Sequence, residues 1–286
     1  MSDYLKLGLL GHPLEQSLSP ILQTAALQFA GIKGEYRLFD IEPAVFEQKV
    51  KEILAEGING FNITIPHKQS IYKMVDHYIG DASQVGAINT VKVESDGKLS
   101  GHNTDVIGFK LAFAESFADN VIGDKKIALI IGAGGGAKAV VVALAQLGYK
   151  NIIIKGRNPQ KVRSFIAQME TNLAQVSSNT KISSQEDDQE KFVQLNLIVN
   201  ASPLGIKDEA VPEWLNQLIN KLNDQCLCFD LVYGKDGNKP MFTKLALQRR
   251  LNAVDGLPML IHQARYAFEF WTGITVPSAI MYEALL

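Results

Sequence analysis

Apolar and polar positions alternate through F-N-I-T-I, with Asn62 and Thr64 on one side and Phe61, Ile63 and Ile65 on the other. Period two predicts a half-buried strand over 58–65. Pro66 ends it, because proline has no N–H for a sheet ladder, and Lys68 follows just past the end. Similar runs predict strands over 5–10 and 36–41, and helical spacing predicts helices over 20–30, 43–56 and 69–75. The segment N-T-V-K-V-E-S-D-G-K-L-S-G reads as a hairpin turning at Asp96-Gly97. Asn103 or Thr104 can cap a helix running to about Phe117.

A second pattern starts at Lys125. Strand K-I-A-L-I-I-G leads through a glycine turn into the helical A-K-A-V-V-V-A-L-A-Q-L-G, then strand N-I-I-I-K and a helix opened by Pro159. This alternation predicts parallel sheet with helices on its faces. The polar stretch 177–190 reads as loop and short structure at a sheet margin. Further strands are expected over 195–199, 227–233 and 252–254, and helices over 257–272 and 277–285.

Composition narrows the function classes. The 286 residues are 47% hydrophobic and 20% charged, with net charge −2, so a normal core forms and neither a nucleic-acid nor a membrane surface is indicated. The apolar run near Met1 is too short for a signal peptide or a membrane span. The two cysteines, Cys226 and Cys228, alternate in an apolar run and read as strand residues in a reducing, cytoplasmic compartment. No His/Asp/Glu group has metal-ligand spacing.

The turn G-A-G-G-G-A puts Gly132, Gly134 and Ala137 in the G-x-G-x-x-G/A places, with Gly135 and Gly136 between them, directly after a strand and opening a helix. In that context the glycines allow a tight turn and close approach of a pyrophosphate to helix N–H groups. An NAD site needs a carboxylate about 20 residues past the first glycine. Here that place reads K-G-R-N, and no Asp or Glu occurs from Lys125 to Met169. Arg157, flanked by Asn158 and Lys161, suits a 2′-phosphate, so NADP is expected over NAD.

Three further polar segments join N-I-T-I-P-H-K: S-L-S-P with Ser17 and Ser19, A-I-N-T-V with Asn89, and G-H-N-T-D with Asp105. Ser19 also reads as a helix N-cap with Pro20 at the first helical position, and Asp105 as a favourable charge at a helix start. His67 and His102 adjoin this set, but strand alternation turns His67 away from Lys68.

Together with N-A-S-P-L-G (200–205), F-D-L-V-Y (229–233) and D-G-L-P-M-L-I-H-Q-A (255–264), these segments resemble the shikimate dehydrogenase family, which reduces 3-dehydroshikimate with NADPH. The likeness spans nearly the whole chain. It implies that Ser17 and Ser19 bind the substrate carboxylate, and that Asn62, Thr64, Asn89 and Gln263 bind ring hydroxyls. It further implies that Lys68 and Asp105 form the catalytic pair, that Tyr233 borders the substrate, and that Gly256 and Met259 lie by the nicotinamide. The residue types suit that chemistry independently: an ammonium can stabilise a developing alkoxide and give it a proton, with a carboxylate holding it in place. Either member can be the formal acid–base.

The cofactor side departs from the family. Gly156-Arg157-Asn158 stands where N-R-T is usual, D-L-V-Y-G-K where D-L-V-Y-N-P is, and G-L-P-M-L where G-L-G-M-L is. Two α/β domains are expected: a substrate domain of 1–104 completed by 256–286, and a Rossmann-type NADP-binding domain over 105–255. The expected partner is a small molecule, with no nucleic acid and no membrane, in a monomer or homodimer. Alternatives are a quinate/shikimate dehydrogenase of broader range and a catalytically idle dinucleotide-binding sensor. A folate-pathway dehydrogenase of similar architecture fits less well, since the serine and Asn/Thr/Lys motifs do not suit a pterin.

Overall fold

A computed structural model describes residues 4–118, 126–174, 179–185, 194–205, 211–234 and 238–286. The chain forms two compact units, Met1–Gly108 with Ile261–Leu286, and Phe109–Leu260.

The first unit runs β1 (Leu5–Gly11), α1 (Ser19–Phe29), β2 (Gly34–Asp40), a 3₁₀ turn (Pro43–Val45), α2 (Phe46–Ala55) and β3 (Gly60–Ile63). It continues with a second 3₁₀ turn (Ile71–Lys73), β4 (His77–Ile79), α3 (Ala82–Val85), β5 (Thr90–Val93), β6 (Leu99–His102) and α4 (Thr104–Phe117). Its sheet has the order β2-β1-β3-β5-β6-β4. β1 is parallel to β2 and β3, and the β5–β6 hairpin is antiparallel. The hairpin turns through Gly97 at φ 82°, a conformation glycine adopts without a Cβ clash.

β3 is not half-buried as the alternation predicts. It lies inside the sheet between β1 and β5, and all four of its residues are buried. Phe61 and Ile63 join an apolar cluster with Leu10, Phe46, Val50 and Ile53. On the other side of the sheet Tyr36 packs with Leu7, Leu9 and Trp271. Asn62, the strand's one polar side chain, therefore lies on an internal face. Ile65 lies outside the strand and is exposed. The expected helix over 69–75 is only the second 3₁₀ turn, because the Asp76 N–H is taken by Leu99 O at 2.9 Å and the chain moves straight into β4.

The second unit contains β7 (Ile127–Ile131), α5 (Gly135–Gln146), β8 (Asn151–Lys155), α6 (Pro159–Leu173), β9 (Lys181–Ser184), β10 (Leu197–Asn200), α7 (Glu213–Lys221), β11 (Leu227–Asp230), α8 (Met241–Gln248) and β12 (Ala253–Val254). All pairs are parallel, in the order β12-β11-β10-β7-β8-β9. This is the Rossmann order, with its switch point between β7 and β10. β9 is an edge strand, and much of the polar stretch 177–190 falls outside the described residues. β11 stops at Asp230 rather than continuing to 233. Cys226 and Cys228 are free and buried at this strand, and burial pushes the Cys226 thiol up to about 12. The chain closes with α9 (Leu257–Thr272) and α10 (Ser278–Glu283). The divisions between the units fall inside α4 and α9. No helix among the described residues is long and apolar enough to cross a membrane.

Candidate active site

In the first unit, Lys68 Nζ donates to Asp105 Oδ2 at 2.5 Å, with side chains only 16% and 8% exposed. Each partner is held by its local structure. Lys68 leaves the turn forced by Pro66, and its carbonyl accepts from the Ile88 N–H at 2.9 Å. Asp105 sits in the first turn of α4, where a carboxylate is favoured by the helix dipole. Asn103 Oδ1 accepts the Asp105 N–H at 3.1 Å and so caps the helix.

Asn89 binds the other carboxylate oxygen. Its Nδ2 donates to Asp105 Oδ1 at 2.8 Å and approaches Gln263 Oε1 at 3.5 Å. Its Oδ1 accepts the Thr104 N–H at 2.8 Å and the Thr90 hydroxyl at 3.0 Å. Asn62 is also engaged within the protein: Nδ2 donates to Asn89 O at 3.1 Å and Thr90 Oγ1 at 3.0 Å, while Oδ1 accepts the Tyr36 hydroxyl at 2.8 Å. Tyr36 in turn hydrogen-bonds the Ser19 hydroxyl, and burial raises its phenol well above the usual value. A continuous polar network thus runs from Ser19 through Tyr36, Asn62 and Asn89 to Asp105 and Lys68. The sequence pattern alone marks neither Tyr36 nor Thr90, and marks Thr104 only as a candidate cap. The threonines directly adjoin Asn89 and Asp105, and Tyr36 is the one hydroxyl-bearing aromatic in its alternating strand, so a signal existed for each.

Ser19 is not the N-cap of α1. The helix begins at Ser19 itself, after Leu18, because the Ser17 hydroxyl accepts the Ser19 N–H at 3.2 Å. Pro20 remains in the first turn. Thr64 lies against β1, its N–H donating to Leu10 O at 2.9 Å, with its side chain partly exposed. His67 plays a packing role: it is buried, bonds Ile41 O at 2.6 Å and stacks on Phe46 at 4.0 Å. Burial lowers its pKa.

In the second unit the glycines of the turn differ in what requires them. Gly132 has φ +120°, and a Cβ there would sit 2.6 Å from Ala201 O. Gly134 is different. Its φ of −107° suits any residue, yet a Cβ there would meet nothing within 4 Å. Packing does not demand a glycine at this helix N-terminus, whereas an approaching pyrophosphate does. Gly135 and Gly136 open α5, and Ala137 is fully buried. Arg157, Asn158 and Lys161 are exposed after β8, and Asn158 Oδ1 caps α6 by accepting the Lys161 N–H at 3.0 Å. The Gly156 departure has a steric cause, since a Cβ there would lie 2.7 Å from Val162 Cγ2. Pro258 falls in the first turn of α9, where its missing N–H costs no helix bond. Tyr233 is partly buried beyond β11, next to Val232, whose carbonyl accepts the Gly256 N–H at 2.9 Å. Met259 is buried one turn into α9.

Comparison with known proteins places the chain in a family. Three family profiles match: the shikimate dehydrogenase substrate binding domain over residues 9–91, shikimate / quinate 5-dehydrogenase over 114–189, and the shikimate 5′-dehydrogenase C-terminal domain over 256–286. A shikimate dehydrogenase (NADP(+)) from Desulforamulus reducens is 36% identical over 284 residues, covering 97% of this chain and 93% of that protein. The crystal structure of shikimate 5-dehydrogenase from Thermus thermophilus, in complex with NADP(H) and shikimate, superposes with a TM-score of 0.80 at 29% identity, covering 98% of each chain. Quinate dehydrogenase from Corynebacterium glutamicum in complex with NAD gives 0.84 at 26% identity, covering 98% of each. The chain therefore belongs to the shikimate dehydrogenase family.

Proposed function

We propose that this protein catalyses the reversible NADPH-dependent reduction of 3-dehydroshikimate to shikimate, in a cytoplasmic setting suited to its two free buried cysteines. The observation that carries the reading is the Lys68–Asp105 pair at 2.5 Å, fixed on its far side by Asn89. In the reductive direction Lys68 stabilises the negative charge developing on the C3 oxygen and delivers its proton there, while Asp105 holds the ammonium in place. Ser17 and Ser19 bind the carboxylate. Thr64 and Gln263 take ring hydroxyls. Asn89 serves the ring hydroxyls and Asp105 together. Asn62 already commits both amide hydrogens to Asn89 and Thr90 and one lone pair of its oxygen to Tyr36, so the second lone pair is what it offers a ring hydroxyl.

NADP, when bound, supplies or accepts the hydride. Gly132 to Ala137 would hold its pyrophosphate, Arg157 and Lys161 its 2′-phosphate, and Gly256 with Met259 its nicotinamide end. Arg157 is the main source of preference for NADP, because a guanidinium matches phosphate oxygens through its planar fork.

The quinate reading keeps a specific support, since one structural relative is a quinate dehydrogenase in complex with NAD. Absorbance at 340 nm, with shikimate and quinate each crossed with NADP and NAD, decides. Shikimate with NADP should give the highest kcat/KM. A higher value for quinate, or for NAD, would reassign substrate or cofactor.

A further inference from the structure

Among its described residues, the second unit holds one fully buried acid to which neither cofactor binding nor hydride chemistry gives a role. Asp230 ends β11 with no exposed surface, and the β10–β11 register places Asn200 opposite it. Asp230 Oδ1 accepts from Asn200 Nδ2 at 2.8 Å and from the Val232 N–H at 3.0 Å, and Oδ2 lies 3.4 Å from the Thr243 hydroxyl of α8. Asn200 extends the grip. Its Oδ1 accepts the Ser202 hydroxyl at 2.7 Å, and its Nδ2 also donates to Leu204 O at 2.9 Å. One carboxyl group therefore shapes two segments at the carboxyl ends of adjacent strands.

Both segments border the dinucleotide turn. A Cβ on Gly132 would strike Ala201 O at 2.6 Å, and one on Gly136 would lie 3.2 Å from Leu231 Cδ2. A Cβ on Gly256 would strike Leu231 O at 2.3 Å. The glycines are small where the segments held by Asp230 press on them.

We propose that Asp230 is a positioning residue of the dinucleotide site, holding the loop after β10 and the segment after β11 against the glycine turn. The inference rests on the cofactor reading above. Three donors face the two oxygens of Asp230: the Asn200 amide and the Val232 N–H at Oδ1, and the Thr243 hydroxyl at Oδ2. Burial pushes its pKa up to about 8. The titratable groups acting on it are Asp255, whose carboxylate pairs with Lys239 at 3.8 Å, and the Cys228 thiol. Ionisation adds a buried negative charge, met by these hydrogen-bond donors but by no cation among the groups acting on it, beside the seat of an anionic nucleotide.

Asp230→Asn keeps both acceptor bonds and a donor toward Thr243. Asp230→Ala removes all three. The test is NADPH affinity of the full-length variants, read by nucleotide fluorescence from pH 6 to 9.5, with the shikimate KM measured in parallel. Asp230→Ala should weaken NADPH about tenfold, which is about 1.4 kcal/mol, and change the shikimate KM about twofold at most. Asp230→Asn should restore wild-type affinity and abolish the weakening expected of wild type above pH 8. Wild-type affinity in a folded Asp230→Ala, or an Asp230→Asn that is as weak as Ala or follows the wild-type pH curve, overturns the proposal. Should the Ala variant fail to fold, the pH curve of Asp230→Asn decides alone. Wild-type protein that binds NADH and not NADPH overturns the cofactor preference instead, and the same comparison is then read with NADH.

Discussion

Asn89→Ala probes the network that holds the catalytic pair. The substitution removes the acceptor of the Thr104 N–H and the donor to Asp105 Oδ1, both bonded at 2.8 Å in a buried setting. The Thr90 and Thr104 hydroxyls, 3.3 Å apart, can still pair with each other, so two groups are orphaned rather than four. An unsatisfied buried group costs about 1–3 kcal/mol, giving a loss of about 2–6 kcal/mol in all. At about 2–4 °C per kcal/mol for a chain of this size, the melting temperature should fall by about 4–24 °C. Asp105 also loses the bond that fixes its far oxygen, so Lys68 is held less well and kcat should fall by about 10- to 100-fold. Asn89→Asp should be worse for activity, because it sets a second carboxylate against Asp105. Thermal shift and the 340 nm assay read both quantities. A variant that melts within about 1 °C of wild type and turns over within about twofold would falsify the positioning role.

Other expectations concern the cofactor side and pH. Gly134→Ala should leave the melting temperature unchanged or slightly higher, since φ −107° and open space accept a methyl group, while NADP affinity drops; Gly132→Ala should destabilise the fold outright, because of its φ of +120° and the 2.6 Å approach to Ala201 O. Retained NADP affinity in Gly134→Ala counts against the pyrophosphate seat. Arg157→Ala should raise the KM for NADP and leave that for NAD nearly constant, narrowing the preference; an equal rise for both removes Arg157 from 2′-phosphate recognition. Asp230 binds its proton more tightly folded (about 8) than at its ordinary value of 3.8, so it contributes stability that is full below the lower value and lost as pH rises through the upper one. The melting temperature of wild type relative to Asp230→Asn should therefore fall from pH 5 to pH 9, and a constant difference contradicts the burial argument.

Much of this was legible in the residues, for identifiable reasons. The glycine turn could be read because strand, glycines and helix are contiguous, and the absence of carboxylates after it carried the cofactor preference. Lys68 and Asp105 lie far apart in the chain, so local pattern suggested each alone and only the family resemblance joined them. β3 misled because alternation reports two unlike faces without saying whether the polar one meets water or other side chains. Here Tyr36, Asn89 and Thr90 take the place of solvent. β11 ends early because Asp230 captures the Val232 N–H with its own side chain, which residue identity alone does not reveal. β4 was missed as a three-residue, fully exposed edge strand. α7 was missed although Trp214, Leu215, Leu218 and Ile219 carry helical spacing and reach the core. There the signal was present, at the margin of a polar and irregular stretch.

The most direct measurement is the steady-state kinetics of Lys68→Ala with shikimate and NADP. If Lys68 exchanges the proton with the reacting oxygen, kcat should drop by about 10²- to 10⁴-fold, with the shikimate KM changed only a few-fold. Turnover close to that of the unmodified enzyme, or a loss confined to KM, would contradict the account.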